Sequence, residues 1–278
     1  MPEVNFLIKV SRPRFWLYVF GPYLVGLAAG AASRSDFLRI DVAVFALFFL
    51  FPANLLIYGV NDIFDFETDR RNPKKEEYEM LVRPESHRGL ALTGLLLNVP
   101  FIAAAFYLAP RALPSLAGFL FFSIFYSAPP IRAKAIPFLD SAFNILYVFP
   151  AAFAYQMLTG SFMPPVLFAA AGLWTMAMHA YSAIPDIDAD REARVSTVAT
   201  VLGRSGTLLF CLTAYLASAA LAFKYLGCFA VALAAVYAAM IAASWLTKKE
   251  DGVFPIYKYF PILNAAVGFI LFWIVALR

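Results

Sequence analysis

Residues 51–69 read FPANLLIYGVNDIFDFETD, an apolar run that passes without a break into Asn61, Asp62, Asp65, Glu67 and Asp69. The first half belongs to an apolar stretch over 41–60, long enough to cross about 30 Å of hydrocarbon as a helix. The second half sets Asn61, Asp65 and Asp69 at i, i+4 and i+8, nearly in line on one helix face, with Asp62 a step round from them. Like charges stacked in this way repel one another. A helix holds them at low cost only where a cation is shared among them, and hard oxygen donors in such an array suit Mg²⁺.

The rest of the chain has the same apolar character. Of its 278 residues, 62% are hydrophobic and 14% charged, and the mean hydropathy of +0.74 lies outside the range of soluble domains. Apolar stretches recur over about 15–33, 41–60, 90–109, 112–128, 139–158, 164–184, 206–223, 226–246 and 259–277, which predicts an all-α membrane fold of nine helices. No soluble tail or linker remains, so residues 1–278 are expected to form a single transmembrane domain. With a cytoplasmic N-terminus, 17 of the 22 Lys and Arg residues fall on the cytoplasmic side, as the positive-inside rule requires. The net charge of +4 is therefore read as the basic face of a multi-pass protein of the cell membrane. No basic stripe with base-stacking aromatics points to nucleic acid. The N-terminus is too polar for a cleaved signal peptide, so the first span is expected to stay as an anchor. Cys211 and Cys228 lie in predicted spans without metal-ligand spacing and read as small buried hydrophobes.

A second acidic stretch, IPDIDAD over 184–190, follows another span on the same side and places Asp186 and Asp190 at i and i+4, with Asp188 between them. Solvated helix ends would account for either stretch alone. Two arrays in i, i+4 register on one side of the membrane are better explained as metal sites. An EF-hand reading of NDIFDFETD fails because the turn glycine is missing and large apolar residues interrupt the ligands. Mg²⁺ commonly bridges a few carboxylates to substrate phosphates, so the arrays imply a polyphosphate ligand. Arg12, Arg14, Arg70, Arg71, Lys74, Lys75, Arg132, Lys134, Arg191 and Arg194 are available to neutralise its remaining charge. His179, an ionisable group inside a span, is a candidate proton acceptor or acceptor-substrate contact. Tyr58, Phe64, Tyr126, Tyr147 and Tyr181 are close enough to the motifs in sequence to be candidate pocket walls. A transporter is the competing class, with Asn144, Gln156 and Asn264 lining a path. Carboxylates at helix ends on one side, away from the midplane, count against it.

NDIFDFETD, YSAPPIRAK and PDIDADREARVSTVATVLG together resemble the UbiA superfamily of intramembrane prenyltransferases, over nearly the whole chain. The resemblance implies a helical bundle around a central cavity that opens toward the Asp-rich loops. It also implies Mg²⁺ held by Asn61, Asp65 and Asp69 of an NxxxDxxxD motif and by Asp186 and Asp190 of a DxxxDxxxD motif, with Asp62 and Asp188 as minor contributors. Arg194 stands where the family often has a third Asp. Asp65, Asp186 and Tyr126 are the implied catalytic residues, which His179 joins as an ionisable group within a span, and Arg12, Arg132, Lys134 and Arg194 are the implied diphosphate contacts. The stretch from about Arg70 to Arg88 is expected to cap the diphosphate. The same segments look most like the lycopene elongase branch, which implies dimethylallyl diphosphate as donor and a lipophilic acceptor met within membrane lipid. A quinone-precursor ring or an archaeal glycerophospholipid ether is the alternative acceptor.

Overall fold

The computed structural model describes residues 2–70, 80–247 and 253–277, and every regular element among them is helical. The α-helices are α1 (Val4–Val10), α2 (Leu17–Gly30), α3 (Ile40–Leu50), α4 (Pro52–Asp69), α5 (Pro84–Leu108), α6 (Leu113–Phe125), α7 (Leu139–Ala142), α8 (Phe149–Thr159), α9 (Pro165–Ser182), α10 (Ile187–Glu192), α11 (Val198–Leu226), α12 (Cys228–Leu246), α13 (Phe254–Tyr257) and α14 (Phe260–Ala276).

Each expected span meets a helix, but the count of nine full crossings needs correction. Among the described residues, seven segments are long and apolar enough to cross a membrane: Ile40–Asp69, Pro84–Leu108, Leu139–Thr159, Pro165–Glu192, Val198–Leu226, Cys228–Leu246 and Phe254–Ala276. The first and fourth expected spans fall short. Helix α2 has 14 residues, about 21 Å at 1.5 Å per residue. It ends where Ala31 turns extended and Ser33 with Asp36 forms a reciprocal cap on the next turn, the kind of side-chain competition that stops a helix. Helix α6 stops before Pro129 and Pro130, which have no N–H to continue the ladder.

Packing divides the chain into two compact units. The first comprises residues 1–131, 149–162 and 268–278. At its centre Tyr23, Phe45, Phe49, Phe119 and Phe153 are fully buried. Phe45 meets Phe153 edge-on at 4.7 Å and Phe49 meets Phe119 at 5.5 Å, arrangements that stabilise by about 0.5–1.5 kcal/mol per pair beyond area burial. The Tyr23 hydroxyl donates to the Val42 carbonyl at 2.8 Å, which satisfies its one polar atom. Gly26 and Gly30, four residues apart on α2, bring that helix against α8. A Cβ on Gly26 would collide with the Ala151 backbone, and one on Gly30 would lie 3.2 Å from Tyr155 Cα.

The second unit comprises residues 132–148 and 163–267. Here α9 packs along α11, where Cys211 Sγ donates to the Ala177 carbonyl and Ser218 Oγ to that of Ala170. Tyr181 and Ser244 share a hydroxyl hydrogen bond of 2.9 Å, which ties α9 to α12. Helix α11 kinks at Gly203, whose φ of +64° is a left-handed conformation that glycine adopts without steric cost.

In the first unit, Gly26→Leu is expected to lower the thermal midpoint in detergent, at a cost of about 1–3 kcal/mol from overpacking. Gly21→Ala, on the same helix with nothing within 4 Å of the added methyl, should leave the midpoint unchanged or raise it. Equal midpoints for the two variants, measured by heating followed by size-exclusion chromatography, would overturn the helix contact.

Candidate functional site

The first acidic array lies in the first unit, on an unbroken helix. Pro52 starts α4 at a position where its missing N–H costs nothing, and the helix then runs through Asp69. Asp62 and Asp65 are buried at 3% and 0% exposure, so each carboxylate needs partners. Asn61 Nδ2 donates both to Asp65 Oδ2 and to Ser127 Oγ, the latter at 3.0 Å. Arg12 Nη2 donates to Asp62 Oδ1 at 2.7 Å and reaches Asn61 Oδ1 at 3.4 Å. The same guanidinium lies 4.7 Å from the centre of the Tyr58 ring. The structure thus sets Arg12 on Asp62, and Ser127 behind Asn61.

The i, i+4, i+8 register holds, but i to i+8 spans about 12 Å of helix axis, too far for three ligands on one ion. Among the described residues, no three His, Cys, Asp or Glu side chains lie together as a metal-binding group. The donor set still fits Mg²⁺. It is entirely oxygen, and Mg²⁺ usually takes one or two carboxylates and leaves the rest of its octahedron to water and phosphate.

The second array lies in the second unit and is built differently. Helix α9 ends at Ser182. Pro185, without an N–H, diverts the chain into a 3₁₀ turn over Ile184–Asp186, and the six-residue α10 follows. Asp186 and Asp190 are partly buried while Asp188 is exposed. Asp188 pairs with Arg191 at 3.7 Å and lines a cavity of about 350 Å³ with Ile184, Pro185, Ile187, Arg204 and the α13 residues Phe254 and Pro255. The expected helical continuation through both aspartates is therefore replaced by a turn and a short helix, with Asp186 at the helix cap.

The cationic candidates share a backbone feature. Arg12, Arg132 and Arg194 all have positive φ, at 52°, 47° and 57°, a region that costs a non-glycine residue roughly 1–2 kcal/mol. Arg132 opens the 3₁₀ turn Ala133–Ala135, which carries Lys134, and Arg194 follows α10. Arg70 pairs with Glu67 at 2.7 Å. Arg71, Lys74, Lys75 and the rest of the expected cap over 71–79 lie outside the described residues. Tyr126 sits at the C-terminal cap of α6. Of the candidate pocket aromatics, Phe64 is 43% exposed and Tyr181 is fully buried against Ser244.

Two polar residues escape the sequence reading. Ser127 follows Tyr126 and has no motif spacing of its own. Asp140 reads as one more acid beside a cytoplasmic loop, yet it is fully buried, accepts from the Val198 N–H at 2.9 Å and lies 3.8 Å from His179 Nε2. An Asp within the apolar FLDSAF stretch is the trace it leaves in the sequence.

The chain is similar to known proteins over most of its length. A lycopene elongase/hydratase of Haloferax volcanii is 42% identical over 270 residues, covering 96% of this chain and 87% of the relative. One from Halobacterium salinarum is 39% identical, covering 96% and 95%. The structure of a UbiA homolog from Archaeoglobus fulgidus bound to DMAPP and Mg²⁺ has the same fold, with a TM-score of 0.71 at 21% identity over 96% of this chain and 99% of that one. The UbiA prenyltransferase family matches residues 19–253, from α2 to the residue before α13. With most of its length inside that match, this multi-pass membrane protein belongs to the UbiA prenyltransferase family.

Proposed function

We propose that this prenyltransferase moves a dimethylallyl group from its diphosphate to a terminal alkene of lycopene, in a Mg²⁺-dependent reaction served by residues 1–278 as one catalytic domain. The observation that carries the acceptor is near full-length similarity, at 42% and 39% identity, to two relatives named lycopene elongase/hydratase. Counted with all nine helical stretches as crossings, the two short ones included, 17 basic residues sort to one side, which supports a cell-membrane orientation with the N-terminus and the acidic loops in the cytoplasm.

In this reading Asn61, Asp65 and Asp69 hold metal at the first array, and Asp186 and Asp190 hold it at the second. Bound Mg²⁺ supplies Lewis-acid stabilisation of the negative charge that develops on the departing diphosphate. Ser127 takes one N–H of Asn61 while Arg12 reaches its amide oxygen at 3.4 Å, and together they fix the orientation of that side chain. Arg12, 2.7 Å from Asp62 Oδ1, holds that carboxylate stationary. Arg132, Lys134 and Arg194 supply positive charge to the diphosphate, and Tyr126 lies in the same sequence element as the first two. Asp188, exposed and paired with Arg191, plays at most an outer part. The membrane interior supplies the acceptor and keeps water from the allylic cation.

Purified protein in detergent with dimethylallyl diphosphate, Mg²⁺ and lycopene is expected to add one or two five-carbon units, and none with EDTA, as read by mass spectrometry. Diphosphate release without a lycopene product would move the assignment to a quinone-precursor ring or a glycerophospholipid ether. Asp65→Asn and Asp186→Asn are each expected to lower turnover about 100-fold or more while membrane insertion and elution volume stay unchanged. Parent-like turnover in either variant would remove that residue from the site. Ser127→Ala should raise the Mg²⁺ concentration for half-maximal rate by about 10-fold, the usual effect of losing a partner behind a metal ligand. An unchanged Mg²⁺ titration would reduce Ser127 to a packing residue.

A further inference from the structure

We propose that Asp140 is a positioning residue for His179, and that His179 takes the proton released after the new carbon–carbon bond has formed. This inference rests on the carotenoid reading above and says how the reaction ends.

The argument begins with burial. Asp140 is 0% exposed in the second unit, where an ionised carboxylate is costly without compensation. One oxygen, Oδ2, accepts from the N–H of Val198, the first residue of the 29-residue α11. That N–H has no partner within its own helix, and the positive end of the helix dipole favours an anion there. The other oxygen, Oδ1, has no hydrogen-bond partner among the described residues. His179 Nε2 lies 3.8 Å from Oδ2, within ion-pair range but beyond a hydrogen bond. Gaining a proton would turn the imidazole into the cation that a buried carboxylate lacks.

The two side chains differ in access. The His179 side chain is 19% exposed while Asp140 is fully enclosed, so the ring can meet a reactant and the carboxylate can act only through the ring. The helix that carries His179 is held on both sides of it, by Cys211 Sγ on the Ala177 carbonyl and by the Tyr181–Ser244 hydroxyl pair. A carboxylate behind an imidazole stabilises its protonated form, the pairing expected of an oriented general base.

The chemistry balances with these groups. The carbon–oxygen bond to diphosphate breaks and its electron pair leaves on the diphosphate. The π electrons of the acceptor alkene form the new carbon–carbon bond and leave a tertiary cation on the acceptor. That cation either loses an adjacent proton to His179 Nε2, with the carbon–hydrogen pair becoming a new alkene, or is captured by water, whose surplus proton goes to the same nitrogen. Both routes deliver one proton to one base.

The test follows diphosphate release and elongated product separately, in full-length parent, His179→Gln, Asp140→Asn and the double variant, with lycopene and dimethylallyl diphosphate. Diphosphate release is expected to stay within about threefold of parent, while elongated product per diphosphate falls about 100-fold in His179→Gln and about 10-fold in Asp140→Asn. The double variant should be no worse than His179→Gln, because the carboxylate acts through the ring. Parent-like product per diphosphate in His179→Gln would overturn the proposal. So would an equal loss of release and product in Asp140→Asn, the mark of a purely structural role. Should Asp140→Asn fail to fold, His179→Gln decides alone. A parent that releases diphosphate but never elongates lycopene would defeat the carotenoid reading itself, and this inference with it; a parent that elongates beside an unaffected His179→Gln would defeat this inference only.

Discussion

A carboxylate buried in a membrane protein has to meet a donor or a cation, and the acid-bearing segments of both units are arranged around that requirement. Asp62 meets the guanidinium of Arg12, Asp65 meets the amide of Asn61, and Asp140 meets the N–H of Val198. Each arrangement uses a place where a helix starts or stops. Arg12 sits between α1 and the turn that leads into α2, Ser127 braces Asn61 from just beyond α6, and Val198 is the first residue of α11. Two of these ends adjoin proline, at Pro13 and at Pro129 with Pro130. A residue without an N–H breaks the ladder, the break leaves polar groups free to turn sideways, and a buried acid makes use of them.

This coupling explains which parts of the molecule are legible in the sequence. The spans are, because apolar length is a property of the segment itself. The first array is legible for the same reason, since α4 continues unbroken from Pro52 to Asp69 and i, i+4 spacing becomes a shared face. The second array is only half legible. Its spacing implies one continuous helix, whereas Pro185 splits it between a 3₁₀ turn and a short helix. The two short spans follow the same logic, because hydropathy continues past Ala31 and Phe125 although the backbone does not.

Ser127 and Asp140 stay hidden because their meaning lies far along the chain. Ser127 meets Asn61 across 66 positions, and Asp140 meets Val198 across 58. Neither has local periodicity, and serine and aspartate near a membrane surface are ordinary. Burial separates Asp140 from the exposed acids around it, and burial is a product of packing.

Arg12, Arg132 and Arg194 bring the two themes together. Among the described residues, four that are not glycine have positive φ; three are these arginines, and the fourth, Phe138, directly precedes the helix that carries Asp140. Glycine or asparagine would take up that backbone at lower cost. The chain carries guanidinium groups there instead, on turns whose ends are tied by backbone hydrogen bonds such as Phe15 N–H to the Arg12 carbonyl and Ala135 N–H to that of Arg132. A left-handed residue held in this way launches its side chain in a direction the helices on either side do not offer. In the proposed reaction a polyanion departs, and positive charge fixed before the substrate arrives would need no reorganisation when the bond breaks, against roughly 1–2 kcal/mol of backbone strain at each turn.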